Sequence, residues 1–294
     1  MRRLDAAREA FAEQLRREGP LRSERLVRAF ARVPREDFLP PGPWLTLPDE
    51  RGYRSTPSAD PEHLYADVAV ALDAARLLNN GAPGFVGRIL DGLDPRPGER
   101  VLHLGSGPGY YTAILAELVG KTGHVLAVEL DPELARQAQR ALRSWRNVEV
   151  IHGDGLEQPE PSQAVDVIFV HGGVSHATAR WLDALPVGGR LALALTAVRP
   201  TTRVRRFLRD HAGRVLQVRR EPGGFSARFG ETCGIQALLG GRDPEHQRAL
   251  AEAFGRGRTA ELRSLRRDAH APDASCWLHG GGYCLSTRTV GGTT

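Results

Sequence analysis

The chain has 294 residues, 41% of them apolar and 26% charged, a composition that is ordinary for a globular protein with a buried core. No apolar run approaches about eighteen residues and no apolar stretch near the N-terminus suits export, so we expect neither a membrane-spanning helix nor an export signal. The formal charge is +5, and three cysteines are too few for a disulfide framework, so we expect a reducing cytoplasm.

The first third of the chain predicts helices followed by a long loop. Residues 3–18 place apolar side chains at helical spacing and predict an amphipathic helix. Ser23 can cap a second helix, which must stop before Pro34. The elements expected next are an irregular stretch over 40–61, one or two short strands within 64–73 and a helix around 85–90.

A strand, a glycine-rich turn and a helix follow in direct succession. The apolar run Arg100–Leu104 predicts a buried strand, which breaks into Gly105-Ser106-Gly107-Pro108-Gly109 before a helical pattern over Tyr110–Val119. Glycines let the backbone approach a ligand, and a helix start presents unpaired N–H groups, so this stretch predicts a small-molecule site. A dinucleotide fingerprint is disfavoured because Tyr110 stands where its third glycine belongs.

Carboxylates follow the next two predicted strands. The strand His124–Leu130 carries Glu129 at its tip, where a carboxylate can accept both hydroxyls of a ribose. The run Asn147–Ile151 is followed by Asp154, which we expect to meet an adenine amino group. Two further strands are predicted over Val165–Val170, followed by His171, and over Arg190–Leu195.

The last third predicts strands and helices with three cysteines among them. Cys276, His279 and Cys284 invite a metal interpretation, but their spacing fits no common zinc pattern and a fourth ligand is missing. We therefore expect two buried thiols, a turn histidine and no metal. The predicted elements are a strand over Arg214–Arg220 in an antiparallel pair at the sheet edge, helices over Asp243–Phe254 and Thr259–Ala269, and a strand pair over Ser275–Ser286.

These motifs resemble one known family. Val101–Tyr110 is similar to the Val-Leu-Glu-Ile-Gly-Thr-Gly-Ser-Gly-Tyr stretch of the protein-L-isoaspartate O-methyltransferase family. The likeness continues through Thr112–Gly120 and Gly153–Gly155, and Val33–Phe38 resembles the N-terminal Val-Pro-Arg segment of that family. The resemblance covers roughly residues 21–195.

The resemblance implies a fold and a division of the chain. It implies an α/β, Rossmann-like class I methyltransferase with a mostly parallel, seven-stranded, doubly wound sheet, N-terminal helices and a C-terminal extension. We expect an N-terminal helical and substrate-loop region at 1–95, a cofactor-binding domain at 96–222 and the extension at 223–294.

The resemblance also implies S-adenosyl-L-methionine as cofactor. The residues expected to bind it are His103, Gly105, Ser106, Gly107, Gly109, Tyr110, Glu129, Leu130, Asp154 and Gly155. His103 stands where the family has a carboxylate, so it is either a core histidine or an altered contact near the methionine amine.

The chain departs from the family where the acceptor should bind. The family carries Gly-Gln-Thr-Ile-Ser-Gln-Pro there, whereas this chain has Leu-Asn-Asn-Gly-Ala-Pro over residues 78–83. An asparagine can donate two hydrogen bonds to a carboxylate, so Asn79 and Asn80 are candidate catalytic residues together with His171. We expect methyl transfer to a carboxylate of a protein, a peptide or a small metabolite.

Two other functions stay open. The first is a cofactor-binding partner or scaffold without activity, because the hydroxyl motif is missing. The second is a nucleic-acid methyltransferase that uses the arginine-rich run Arg199–Arg220, although a solvated surface also explains that run. The Asn/Asp-Pro-Pro-aromatic signature of amino-methylating enzymes is absent, since His171-Gly172-Gly173 stands there. Residues 196–294 are a separate lobe, a lid or a dimer surface, so a homodimer is one alternative.

Overall fold

The computed structural model describes residues 2–19, 21–48, 52–160, 163–197, 212–280 and 282–291. They form two compact units, Met1–Gly153 and Asp154–Thr294. Across these described ranges, no helix combines the length and the apolarity that crossing a membrane requires.

The second helix of the first unit begins and ends where the sequence predicts. The Ser23 side chain accepts a hydrogen bond from the Leu26 N–H, and the helix that it starts ends before Pro34, as predicted. The helices are α1 (Arg2–Glu18), α2 (Glu24–Arg32), α3 (Pro83–Leu93), α4 (Tyr110–Val119) and α5 (Pro132–Ala141).

A small antiparallel sheet occupies the stretch between α2 and α3. Its strand order is β2-β1-β3-β4, formed by β1 (Leu45–Leu47), β2 (Arg54–Ser55), β3 (Ala69–Asp73) and β4 (Leu78–Asn79). Thr46 pairs with Arg54 on one side and with Val70 on the other. Strands this short depend on distant pairing partners, which is why the sequence predicted only an irregular stretch over 40–61.

Three parallel strands carry the predicted ligand-binding edge of the first unit. They are β5 (Arg100–Leu104), β6 (His124–Glu129) and β7 (Val148–His152), in the order β5-β6-β7. Leu104 lies opposite Val128, and Glu129 lies opposite His152. The carboxyl ends of the strands therefore meet at one edge, where ligands bind in sheets of this kind.

The described part of the second unit is a mixed sheet with two helices. Among its described strands, β8 and β9 pair in parallel, and the pairs from β9 to β13 along the sheet are antiparallel. The order β13-β14-β12-β11-β10-β9-β8 is formed by β8 (Val167–Val174), β9 (Arg190–Ala197), β10 (Ala212–Glu221), β11 (Gly224–Gly234), β12 (Ser264–Arg266), β13 (Cys276–Gly280) and β14 (Tyr283–Ser286). The helices are α6 (Ala179–Ala184) and α7 (Pro244–Arg256).

The predicted helix over Thr259–Ala269 is wrong. A short 3-10 turn at Thr259–Glu261 leads into β12 instead. Ser264 pairs with Ser226 of β11 and with Ser286 of β14, so strand pairing on both sides outweighs the local helical pattern.

The predicted edge position of the Arg214–Arg220 strand is also wrong. This segment belongs to β10, which lies between β9 and β11, because β11 and the strands after it continue the sheet outward. The α/β class is confirmed, but the count of seven mostly parallel strands is not, since the described residues of the second unit alone form seven strands and most of their pairs are antiparallel.

The arginine-rich run Arg199–Arg220 falls largely on residues 198–211, which lie outside the described residues. Two of its described members are engaged in the fold. Arg214 donates to the Gly230 carbonyl at 2.8 Å, and Arg220 lies over the Phe225 ring at 4.9 Å. At these two positions the arginines contact neighbouring residues of the sheet.

Candidate active site

The glycine loop after β5 has a backbone that few residue types can adopt. Gly105, Gly107 and Gly109 have φ angles of 72°, 57° and 102°. A Cβ on Gly109 would lie 2.7 Å from the Leu142 side chain, so this position also lacks room for a side chain. The loop therefore exposes its own backbone immediately before α4 begins.

The loop is anchored to the neighbouring strand. The N–H groups of Gly105 and Ser106 both donate to the Val128 carbonyl of β6, at 2.9 and 3.2 Å. The Ser106 side chain is buried, and its hydroxyl has no hydrogen-bond partner among the described residues. A buried hydroxyl without a partner costs free energy, and a bound polar ligand would remove that cost.

Glu129 faces the same loop from the end of β6. Its side chain is buried, with Oε2 accepting from the Gly107 N–H at 2.7 Å and Oε1 accepting from the Asp131 N–H at 2.9 Å. Each carboxylate oxygen keeps a further lone pair, so the group is oriented and can still accept the two hydroxyls of a ribose. The loop and the carboxylate thus fit the cofactor that the sequence implies.

The segment after Glu129 is held in place by two polar contacts. The Leu130 carbonyl lies 3.1 Å from His152 Nε2. Asp131 caps α5 and forms an ion pair with Arg76 at 2.6 Å, and this guanidinium lowers the pKa of the Asp131 carboxyl. Arg76 belongs to the turn between β3 and β4, so the ion pair ties this turn to the segment that follows β6.

The side chains of His103 and Tyr110 lie in the interior of the first unit. His103 is fully buried, with Nδ1 2.9 Å from the Thr112 hydroxyl of α4. Tyr110 is buried with its ring 5.8 Å from that of Phe38 and 5.0 Å from that of Tyr111. Both side chains therefore contribute to packing around the first turn of α4.

The two asparagines of the predicted acceptor turn have different environments. Asn79 is partly buried, and its Oδ1 accepts from the Gly81 N–H at 2.9 Å. Burial raises the pKa of Tyr53, and a hydrogen bond between Tyr53 and Asn79 opposes that rise. Asn80 is 4% exposed, and its Oδ1 accepts from the Val70 N–H at 2.9 Å. Asn80 therefore supports the turn from inside, while Asn79 is the more accessible of the two.

Arg35 is an essential structural residue that the sequence analysis did not single out. Its side chain is fully buried and donates to the carbonyls of Leu64, Ala66 and Val68 at 2.8, 3.2 and 2.7 Å. The same guanidinium lies 5.8 Å from the centre of the Tyr110 ring. The only signal for it was the Val-Pro-Arg likeness, which carried no role. Arg35 shapes the chain that leads into β3.

A further hydrogen bond links the acceptor turn to the helix behind the glycine loop. The Tyr111 hydroxyl on α4 donates to the Gly81 carbonyl at 3.0 Å. At the other end of the turn, the Asp67 carboxylate accepts from the Gly84 N–H at 2.6 Å in the first turn of α3. Both ends of the turn that contains Asn79 and Asn80 are therefore anchored.

In the second unit, Asp154 begins a short 3-10 turn at Gly155–Glu157. Its Oδ1 accepts from the Leu156 N–H at 2.9 Å, which orients the carboxylate. The Gly155 carbonyl accepts from the indole N–H of the fully buried Trp181 at 3.2 Å. These two hydrogen bonds hold the loop in place.

His171 lies within β8 rather than after it. The register between β8 and β9 shifts between Val170 and Gly173, and the irregularity contains His171. Its ring stacks on Phe169 with 5.1 Å between ring centres. Loss of hydration lowers the pKa of His171 to about 4, so the imidazole is neutral at pH 7.

This pKa predicts how stability responds to acid. The pKa of His171 is about 4 in the folded chain and about 6.5 in the unfolded chain. As the pH falls, His171 is therefore protonated in the unfolded chain at a higher pH than in the folded chain, which favours unfolding. The contribution is present above pH 6.5 and is lost as pH falls toward 4. Between pH 7.5 and 4.5 we expect the wild-type Tm to fall by about 3 °C more than that of His171→Gln. Thermal unfolding followed by circular dichroism measures this, and parallel Tm–pH curves would contradict it.

The parallel strands, the glycine loop and the acidic end of β6 define the chain as a class I S-adenosylmethionine-dependent methyltransferase. The family model for protein-L-isoaspartate(D-aspartate) O-methyltransferase matches residues 6–225. The chain therefore belongs to this family, whose enzymes act on protein substrates.

Named relatives agree with this assignment. The protein-L-isoaspartate O-methyltransferase of Aeropyrum pernix is 37% identical over 201 residues, which cover 66% of this chain and 70% of the relative. Protein-L-isoaspartate O-methyltransferase 1 of Archaeoglobus fulgidus is 36% identical over 193 residues, which cover 65% of this chain and 80% of the relative.

Solved structures share the fold. A protein-L-isoaspartate O-methyltransferase matches with a TM-score of 0.59 at 21% identity, covering 89% of this chain and 72% of its own. The enzyme of Plasmodium falciparum, solved with S-adenosyl-L-homocysteine, matches with a TM-score of 0.58 at 17% identity, covering 79% of this chain and 97% of its own.

Proposed function

We propose that this protein transfers the methyl group of S-adenosylmethionine to a carboxylate of a protein or peptide. The observation that carries the proposal is the buried Glu129 carboxylate, held by the Gly107 N–H at 2.7 Å beside a loop of positive-φ glycines. The family's protein substrates support the acceptor class.

Three polar side chains are central to the proposed cofactor site. Ser106, with its hydroxyl free of partners among the described side chains, is a donor for the methionine part, and Glu129 accepts the ribose hydroxyls. Asp154 accepts the adenine amino group. The remaining members are supporting backbone or apolar contacts: Gly105, Gly107, Gly109, Leu130 and Gly155.

The bound cofactor supplies a methyl group that is activated by its bond to a sulfonium. Transfer of that methyl group to a carboxylate oxygen would form a methyl ester, and the electron pair of the broken carbon–sulfur bond would stay on sulfur. No proton moves in this step, so the chain has to align the carboxylate rather than supply a base. A neutral His171 is consistent with this requirement, because an uncharged imidazole can contact the acceptor without acting as a charged group.

The acceptor residues that we propose are Asn79, Asn80 and His171. Asn79 is partly exposed and carries an amide that can hold a carboxylate oxygen. Asn80 is buried under the same turn and acts as a positioning residue. We also infer a cytoplasmic location, which three free cysteines support.

An activity assay with paired peptides tests this proposal. We expect the enzyme to methylate an isoaspartyl peptide faster than its aspartyl twin. Asn79→Ala removes the proposed carboxylate contact, so kcat/KM should fall by about 10-fold, equivalent to one hydrogen bond to a charged group. Product formation is followed by release of S-adenosylhomocysteine.

Calorimetric titration of the cofactor separates the acceptor effect from loss of cofactor binding. The Kd of S-adenosylmethionine should stay within about two-fold in Asn79→Ala, because the substitution is outside the proposed cofactor site. Gln137→Ala, in α5, is the matched control and should leave both quantities unchanged. Cofactor binding without turnover of any peptide carboxylate would favour the inactive scaffold instead.

A further inference from the structure

Four side chains near the C-terminus converge, and the methyl-transfer proposal uses none of them. Each offers one nitrogen or sulfur ligand atom, and these four atoms all lie within 4.8 Å of one another. The residues are His270, Cys276, His279 and Cys284. His270 is the fourth ligand that the sequence analysis lacked.

The strand register explains how these residues come together. Cys276 and His279 lie three residues apart on β13 and would point to opposite faces of a regular strand. However, Cys276 pairs with Ser286 and Leu278 pairs with Leu285, so one residue of β13 is extra at this point. The bulge restores a common face for Cys276 and His279, and His279 lies directly opposite Cys284 on β14.

The separations between ligand atoms suit a tetrahedral ion. Cys276 Sγ lies 3.6 Å from His270 Nε2 and 3.9 Å from His279 Nδ1. Bonds of about 2.3 Å to sulfur and about 2.0 Å to nitrogen place the two atoms about 3.5 Å apart around tetrahedral zinc. The two imidazole rings meet at an angle of 79°, edge to face, so they do not stack on each other.

The neighbouring groups orient the proposed ligands. His270 Nδ1 lies 2.8 Å from the Asp268 carbonyl, which leaves Nε2 with the lone pair that faces Cys276. The Asp273 N–H donates to Cys276 Sγ at 3.3 Å. Hydrogen bonds of this kind, to the second ring nitrogen of a histidine and to a thiolate sulfur, are the usual outer contacts of zinc ligands.

We propose that His270, Cys276, His279 and Cys284 bind one structural zinc ion. Two thiolates and two imidazoles in a tetrahedral set favour zinc over the hard cations, which prefer oxygen ligands. Four protein ligands leave no open position, so the ion holds structure and does not activate water. It joins the segment after β12 to the β13–β14 hairpin, whose short strands gain little stability on their own.

Metal analysis of the full chain, expressed without a histidine tag, is the direct test. After removal of free metal we expect about one zinc per chain by mass spectrometry, and less than about 0.1 in the double variant Cys276→Ser/Cys284→Ser. Cys233→Ser is the matched control, because Cys233 is a free cysteine outside this group, and it should keep its zinc.

A second measurement protects the test against misfolding of the double variant. Cobalt added to the reduced, chelator-treated wild-type chain should give the intense visible absorption of a tetrahedral thiolate site, and His279→Gln should change that spectrum. Absence of zinc together with absence of this spectrum would overturn the proposal, as would a Cys276–Cys284 disulfide in freshly isolated protein. Neither measurement depends on methyl transfer, so the two proposals can fail separately.

Discussion

Glu129→Ala should weaken binding of S-adenosylhomocysteine by about 100-fold. The substitution removes a carboxylate that we expect to accept two ribose hydroxyls, and hydrogen bonds to a charged group contribute about 1.5–3 kcal/mol each. It also frees the Gly107 N–H, which the carboxylate holds at 2.7 Å, so the glycine loop loses an anchor. Isothermal titration calorimetry of wild type and variant measures the ratio.

Glu133→Ala is the control for this prediction. Glu133 is a nearby carboxylate in the first turn of α5, but its side chain is 57% exposed and pairs with Arg136 at the surface. Its removal should change the Kd by less than about two-fold. Binding by Glu129→Ala within about three-fold of wild type would show that the ribose is held elsewhere.

Arg35→Met should lower the free energy of unfolding by about 4 kcal/mol or more. The variant keeps much of the side-chain volume but removes the arginine donor from the carbonyls of Leu64 and Val68, whereas the Ala66 carbonyl keeps the Val68 N–H at 2.8 Å. A buried carbonyl that loses its partner costs about 1–3 kcal/mol. Urea denaturation followed by circular dichroism measures the change.

Arg32→Met tests whether the effect is specific to the buried arginine. Arg32 lies three residues earlier in the chain, its side chain is 68% exposed, and it pairs with Glu117 at 3.2 Å. Because exposed ion pairs contribute little, its removal should cost less than about 1 kcal/mol. Equal losses from the two variants would show that the carbonyl contacts of Arg35 carry no special weight.

The ligand-binding strands were predictable because their signals are local. The apolar run of β5, the glycines after it and the helix pattern from Tyr110 all lie within twenty residues. The same holds for the Ser23 cap, since its partner Leu26 is three residues away. Elements of this kind can be predicted because the local preferences of neighbouring residues favour the same structure that the whole fold requires.

The elements that could not be predicted depend on distant partners. Arg35 bonds with carbonyls 29 to 33 residues further along the chain, and no local pattern marks it as buried. The three-residue strand β12 exists because β11 and β14 pair with it on both sides. His270 joins the cysteines only after the bulge in β13 turns Cys276 toward it.

The hydrogen bond between Tyr111 and Gly81 has a consequence for how acceptor choice can diverge. Tyr111 belongs to α4, the helix that begins at the glycine loop. Its hydrogen bond to the Gly81 carbonyl therefore fixes the turn that bears Asn79 to the helix behind the proposed methyl-donor site. A hydrogen bond to a main-chain carbonyl does not depend on which side chains the turn carries. Side chains in this turn, such as the two asparagines that stand in place of threonine and serine, can therefore change without loss of this hydrogen bond. On the proposed function, the preferred acceptor could change in this way while the position of the turn stays the same.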